Sequence, residues 1–288
     1  MHKFILTYKV FLSSSDFLAF IVGRYNSVEE TVAKERVPKL KERVVEVIFE
    51  WLSVHFYDFY EDYSLTGKLL SFLNQSLSKS KSAKIIDFLK SKLQVNKRQK
   101  IDSYEKFLEK APPTILPEFF SEKAFDLIDI DPLEIARQLT IVEHVLYANI
   151  KCKEFLHQNW SKKEADVLAP NLTSVSNRFN QISGWISTLL VKVENLGARS
   201  AVLAKFIDIA FECFMLQNFN SSISIVSGLT NSSVSRLRKT WDALPKQKME
   251  TYQKLSATFS PTSNFQQYRK LINSIAPPCV PYVTFFPA

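Results

Sequence analysis

The sequence predicts an all-α protein built from two helical bundles. Three observations carry that expectation. Only 5 of 288 residues are glycine, whereas phosphate loops, hairpins and parallel sheets need glycine where the backbone turns to positive φ. Apolar residues recur at spacings of three and four through most of the chain, the period of a one-sided helix. With 46% hydrophobic residues, the chain has ample material for one large core or two smaller ones.

The elements follow in order. Ser13-Ser14-Ser15-Asp16 stands before the apolar run Phe17–Val22, and Ser and Asp oxygens satisfy free N–H groups at a helix start. Val44, Ile48, Trp51 and His55 share one helix face by their spacing, and Phe56-Tyr57-Asp58-Phe59-Tyr60 reads as a helix end packed on a core. Residues 79–100 interleave lysines with Ile85, Ile86, Phe88, Leu89 and Leu93. That pattern fits a solvated amphipathic helix, with contact to an anionic lipid surface as the alternative. Residues 111–130, with Pro112, Pro113 and Pro117 and no sustained period, read as a linker.

A second module starts at Asp131-Pro132-Leu133-Glu134, an N-cap, a proline at the first helical position and a glutamate three residues past the cap. Ile135, Leu139, Val142 and Leu146 form its predicted buried stripe. The longest regular pattern is Val202, Phe206, Ile209, Cys213 and Leu216 at 4-3-4-3, which makes Cys213 a core residue. Asparagines in Gln217-Asn218-Phe219-Asn220 favour caps over helix interior and stop that helix. Ile223, Val226 and Leu229 restart it. The expected organisation is therefore 1–110, a linker at 111–130, a second module at 131–282, and a divergent tail at 283–288.

The chemistry that could make this chain an enzyme is not spelled in it. There is no GxGxxG, Walker loop, HExxH or GxSxG. His144 and His157 could meet Cys152, but a thirteen-residue gap between the histidines fits no standard zinc spacing. No metal or cofactor is expected. The three cysteines form no CxxC pair and suit a reducing compartment. The start is too aromatic for a secretory signal and no apolar run reaches 18 residues, so the expected location is cytoplasmic. The net charge of +8 attracts nucleic acid, anionic membrane or an acidic partner alike. The lysine stretch has no base-stacking aromatic pattern, which argues against nucleic acid. These residues describe a helical binding module.

Five stretches of the second module, in order, resemble the catalytic domain of Ras-type guanine-nucleotide exchange factors. They are Asp131–Thr140; Asn180–Trp185; Phe206–Ala210 running into Leu216–Ser221; Arg236-Leu237 with Thr240-Trp241; and Pro277–Pro281. The first module, through Phe4–Phe11 and Trp51-Leu52 with His55-Phe56, resembles the Ras exchanger motif that precedes such domains. The resemblance implies a bowl made by helices around 171–190, 199–216 and 220–241 that grips switch II of a Ras-family GTPase and favours its nucleotide-free state. It implies polar contacts from Asn180, Ser183, Asn218, Asn220 and Arg236, each of which also has a local reading as a cap or core-edge residue. Trp185, Phe206 and Trp241 read as core. It also implies recruitment to the membrane that carries the GTPase. After Tyr282 the family continues into a helical hairpin that displaces switch I. Here Val283-Thr284-Phe285-Phe286-Pro287-Ala288 stands instead, which sets a non-catalytic GTPase-binding protein beside the exchange factor as the alternative.

Overall fold

The structure, a computed structural model, describes residues 2–31, 33–76, 83–92, 111–115 and 126–283. It is all-α, as the sequence predicts; among the described residues the β-type pairing is one isolated parallel bridge between Asn218 and Val280. The chain divides into two compact units. One comprises Met1–Lys110 together with Lys151–Lys162, the other Ala111–Ile150 together with Lys163–Ala288.

In the first unit, α1 (His2–Thr7), α2 (Ser14–Thr31), α3 (Val37–Val54), α4 (Phe56–Glu61), α5 (Tyr63–Ser76) and α6 (83–92) surround an aromatic centre. Tyr8 stacks on Phe17 at 4.6 Å, Phe17 meets Trp51 at 4.7 Å, and Trp51 meets Phe59 at 4.7 Å. Ile48, Trp51 and His55 of the predicted row are buried. The Phe56–Tyr60 cluster is a short helix of its own, because His55 leaves helical geometry at the end of α3. Its aspartate, Asp58, is buried but partnered by two donors on one oxygen and a cation at the other. It accepts from Tyr8 Oη and from Trp51 Nε1 (2.9 Å), and Lys9 Nζ lies 2.5 Å from its other oxygen. A buried carboxylate without such partners would be strongly destabilising. Burial and the neighbouring Asp58 charge both push the Tyr8 phenol upward, so it stays a donor. Lys151 and Lys153 both reach Glu61, which ties the segment 151–162 to this unit. Of the basic stretch, Lys84 and Lys90 are exposed on α6 while Ile85 and Leu89 enter the core. Residues 79–82 and 93–100 of that stretch lie outside the described residues.

The second unit is built from α7 (Pro132–Ala148), α8 (Ala165–Leu168), α9 (Pro170–Lys192), α10 (Leu196–Met215), α11 (Phe219–Thr230), α12 (Ser232–Ser235), α13 (Arg238–Asp242), α14 (Lys246–Thr258) and α15 (Gln266–Ser274). Helix α7 starts as expected, with Asp131 Oδ1 accepting from Leu133 N (2.7 Å) and Pro132 at the first position. Glu134 does not turn back to the cap; it is buried and accepts from Arg137 and Gln138, each at 2.8 Å. Of the predicted row on α10, Val202, Phe206, Ile209 and Cys213 are buried, and burial pushes the Cys213 thiol upward. Leu216 is not buried; it is the C-cap, and the chain turns away at Gln217, whose φ is 57°. Asn218 N donates to Cys213 O (2.8 Å) and Gln217 N to Phe214 O (3.0 Å). This paired closure satisfies the last carbonyls and offsets roughly 1–2 kcal/mol of left-handed strain at a residue other than glycine.

Helix α11 lies almost wholly inside, with α9 against it. The approach is set at Gly228, where a Cβ would meet Ser183 O at 2.8 Å and Ile186 Cβ at 3.0 Å. Ser187 Oγ donates to Ser183 O (2.8 Å), and it also lies 3.1 Å from Gly228 O.

Two substitutions test this packing. Phe206→Ala removes a fully buried ring and should lower unfolding free energy by about 3–5 kcal/mol, read by urea denaturation; a loss below roughly 1 kcal/mol would show that the α10 face is not the core. Gly228→Ala should cost about 1–3 kcal/mol by overpacking, where an unchanged midpoint would mean that α9 and α11 can separate at no cost.

Candidate functional site

The second unit carries a groove of about 360 Å³ between α7, α9, α10 and α11. Its construction begins with α7. The row of α7 that turns inward is Ala136, Thr140 and Glu143, small or polar where a stripe of leucines and isoleucines would be the ordinary choice. That row is needed because α11 presents asparagines to it. Asn218 Nδ2 donates to Thr140 Oγ1 (3.1 Å) and Asn220 Nδ2 to Glu143 Oε2 (2.8 Å). The predicted buried stripe is thereby turned aside: Ile135, Leu139, Val142 and Leu146 are only half-buried. Ile135 and Leu139 become a wall of the groove.

Helix α9 supplies the opposite wall. Arg178, Gln181, Ile182 and Trp185 recur at three, four and seven, which places them on one helix face, and all four line the groove. Phe206, Ile209 and Ile225 close the floor. Trp185 was expected in the core; it is 51% exposed, its ring standing edge-on to Phe206 at 5.4 Å. The floor below it is already filled by Phe206, so the indole has only its edge to bury. Trp241, also expected in the core, is half-buried and packs against it, its Nε1 donating to Val234 O (3.0 Å).

The five residues implied as partner contacts do not come together at this groove. Asn218 is buried at the N-cap of α11, with Oδ1 accepting from Ser221 N (3.0 Å) and Nδ2 donating to Thr140 and Ser221. Asn220 is buried against Glu143. In this structure both amides are spent on bonds inside the chain. Asn180 is exposed and Ser183 half-buried, but their positions on α9 turn them away from the row that lines the groove. Arg236 is exposed, its Nε donating to Ser232 O (2.9 Å). Sequence reasoning missed Arg178, Gln181, Ile135 and Leu139 as lining residues. The row 178-181-182-185 was available as a signal, but its mixture of charge, amide and aromatic reads as an ordinary helix surface.

Glu143 is the electrostatic centre beneath the site. It is 1% exposed. One oxygen takes the Asn220 bond; the other faces Arg178 Nε at 3.8 Å, too long for a hydrogen bond. Burial raises its carboxyl above the usual range, against the opposing effects of the Asn220 bond and the Arg178 charge. Among the described residues no group of three or more His, Cys, Asp and Glu side chains could hold a metal ion. Nor is any helix among them long and apolar enough to cross a membrane.

Comparison with known proteins decides the family. The RasGEF domain pattern matches residues 134–287, and the RasGEF N-terminal motif matches residues 1–72. The chain belongs to the RasGEF family. It is 37% identical over 253 residues to Ras guanine nucleotide exchange factor E of Dictyostelium discoideum, covering 87% of this chain and 24% of that protein. It is 32% identical over 286 residues to exchange factor A of the same organism, covering 98% of this chain and 46% of that protein. With the protein son of sevenless of Drosophila melanogaster it shares 29% identity over 319 residues, 98% of this chain and 20% of that protein. The chain thus spans less than half the length of these relatives. The groove lies within the part matched to the RasGEF domain, and its lining residues are RasGEF residues.

Folding raises the Glu143 pKa, so protonation favours the folded state. The stabilisation is fully present below the unfolded carboxylate value of about 4.3 and is lost as pH rises through the raised value. Wild-type protein should therefore lose stability relative to Glu143→Gln as pH climbs from about 4.3 toward neutrality. Denaturation across that range would show it, and the opposite slope would mean that Arg178 and Asn220 outweigh burial.

Proposed function

We propose that this chain promotes guanine-nucleotide release from a Ras-family GTPase, taking the GTPase's switch II into the groove and favouring the nucleotide-free state. The observation that carries the reading is an open apolar groove, with a half-exposed tryptophan over a packed floor, inside the segment that belongs to the RasGEF family. Large aromatics held in this way are the common anchors of protein interfaces. Exchange makes and breaks no covalent bond. It needs only that the protein bind the empty GTPase better than the loaded one, since a ligand shifts an equilibrium by its differential affinity. A thousandfold acceleration corresponds to roughly 4 kcal/mol off the release barrier.

In this reading the exposed Asn180 and Arg236 and the half-buried Ser183 are candidates for polar contacts outside the groove, on the other face of α9 and at the end of α12. Asn218 and Asn220 serve it from inside, by fixing α11 against α7 so that Ile135 and Leu139 stand at the wall. The exposed Lys84 and Lys90 of the first unit support an approach to an anionic membrane surface, where each lysine contributes about 1 kcal/mol near the headgroups.

The test is release of a fluorescent guanine nucleotide from Ras-family GTPases at micromolar protein. Acceleration by the wild-type chain is expected, and Trp185→Ala should lower kcat/KM for release about thirtyfold, equivalent to ~2 kcal/mol, with an unchanged circular-dichroism spectrum. Binding without acceleration would leave a GTPase-binding protein in place of an exchange factor. Full activity of Trp185→Ala would remove the groove from the reading.

A further inference from the structure

We propose that the first unit holds a site for one acyl chain of an anionic membrane lipid, the chain lying between α2 and α3 and the headgroup at Arg24, Lys41 and Arg43. The first unit carries a groove of its own, of about 350 Å³. Along α2 its lining runs Phe17, Phe20, Ile21, Arg24, Tyr25 and Val28, spaced at three and four and therefore on one helix face. Leu40, Val44 and Val47 of α3 stand opposite. Among the described residues the lining holds three cations and no carboxylate. A cavity of this size, apolar with a few convergent polar groups, is the usual seat of a small ligand. At its edge Phe20 is 65% and Phe4 40% exposed, and large apolar side chains beside basic ones settle where hydrocarbon meets headgroup.

The lining is sorted along the groove, and this selects the occupant. At one end the Phe4 and Phe17 rings meet at 5.7 Å, with Phe20 one turn further along α2. At the other end Lys41 Nζ lies 4.9 Å from the centre of the Tyr25 ring, with Arg24 and Arg43 beside this pair in sequence. A docked helix calls for charges along both flanks, and a free anion has no use for the aromatic end. A hydrocarbon tail with an anionic head matches both ends. The length agrees as well. From Phe17 to Val28 α2 rises roughly 16 Å, and the chains of one leaflet span about half of a hydrocarbon core about 30 Å thick. The cations are able to change partners. Lys41 pairs with Glu29 and Arg43 with Glu46 at the surface, where such pairs contribute little. Arg24 is exposed and makes no hydrogen bond or ion pair to another described residue. The net charge of +8 is of the sign that draws the chain to an anionic leaflet.

The experiment measures binding of the full chain to phosphatidylcholine vesicles with and without phosphatidylserine. Binding is expected only with phosphatidylserine present. Arg24→Glu should weaken it at least about fivefold and Phe20→Glu at least about tenfold. Both positions are exposed, and circular dichroism checks that each variant is folded. A Phe20→Trp variant reports on the chain itself: its fluorescence should be quenched by phosphatidylserine brominated on the acyl chains, and Arg24→Glu in that background should remove the quenching. Lys84→Glu with Lys90→Glu should weaken attraction to the vesicle yet leave quenching intact in the protein that remains bound. Phosphatidylserine binding without quenching would reduce the groove to a charged surface and overturn the proposal. So would equal binding to neutral vesicles, or binding indifferent to both Arg24→Glu and Phe20→Glu. A dimer in sedimentation that Phe20→Glu dissociates, in a protein that ignores both kinds of vesicle, would give the groove to a second copy of the chain and overturn it as well.

Discussion

The close passage of α11 beneath α9 at Gly228 is the constraint on which the second unit depends. Any side chain there would strike the Ser183 carbonyl and Ile186, and separating the helices to make room would draw Ile225 away from Ile182 and Phe206. Ile225 and Phe206, with Ile209, are the floor of the groove, and Ile182 belongs to its wall. Ser187 reinforces the passage by lying within hydrogen-bonding distance of both Ser183 O and Gly228 O. Tightly packed interiors do not deform smoothly, so the floor is rigid because the crossing beneath it is.

On the other side of α11 the chain uses polar chemistry. Asn218 and Asn220 meet Thr140 and Glu143 across the α7–α11 boundary, an arrangement that desolvates several hydrogen-bonding groups and one carboxylate. Hydrophobic residues of equal volume could have held the helices together, but without fixing which face of α7 points inward. Because each asparagine has one partner at one height, the rotation of α7 is fixed. Its apolar row is then delivered to the groove wall instead of the core.

That distinction explains what was legible in the sequence. The all-α class could be read from periodicity and the shortage of glycine, and the α10 row was correct through Cys213 because a core helix states its register plainly. The α7 row was misassigned because half-burial at a groove and full burial in a core produce the same 3-4 pattern. Trp185 went astray for a related reason: size and hydrophobicity suggest burial, and only the presence of Phe206 below shows that the place was taken. Asn218 and Asn220 were recognisable as unusual, but a sequence does not say whether an asparagine faces a partner or a buried carboxylate. Arg178 stands in a helix row that the sequence displays, but the row's place at a groove depends on the apolar surroundings contributed by three other helices.

The first unit is discontinuous along the chain: residues 151–162 belong to it although the 40 residues before them do not. Glu61 holds Lys151 and Lys153, and the Tyr57 ring lies under both ammonium groups. No single cut of the polypeptide releases either unit whole. A gene fragment ending near residue 110 would encode a bundle lacking one of its own pieces, and a fragment beginning at 111 would carry that piece away with nothing to receive it. Recombination at the apparent boundary would therefore be penalised, and the two units would be expected to pass from one protein to another as a single heritable block.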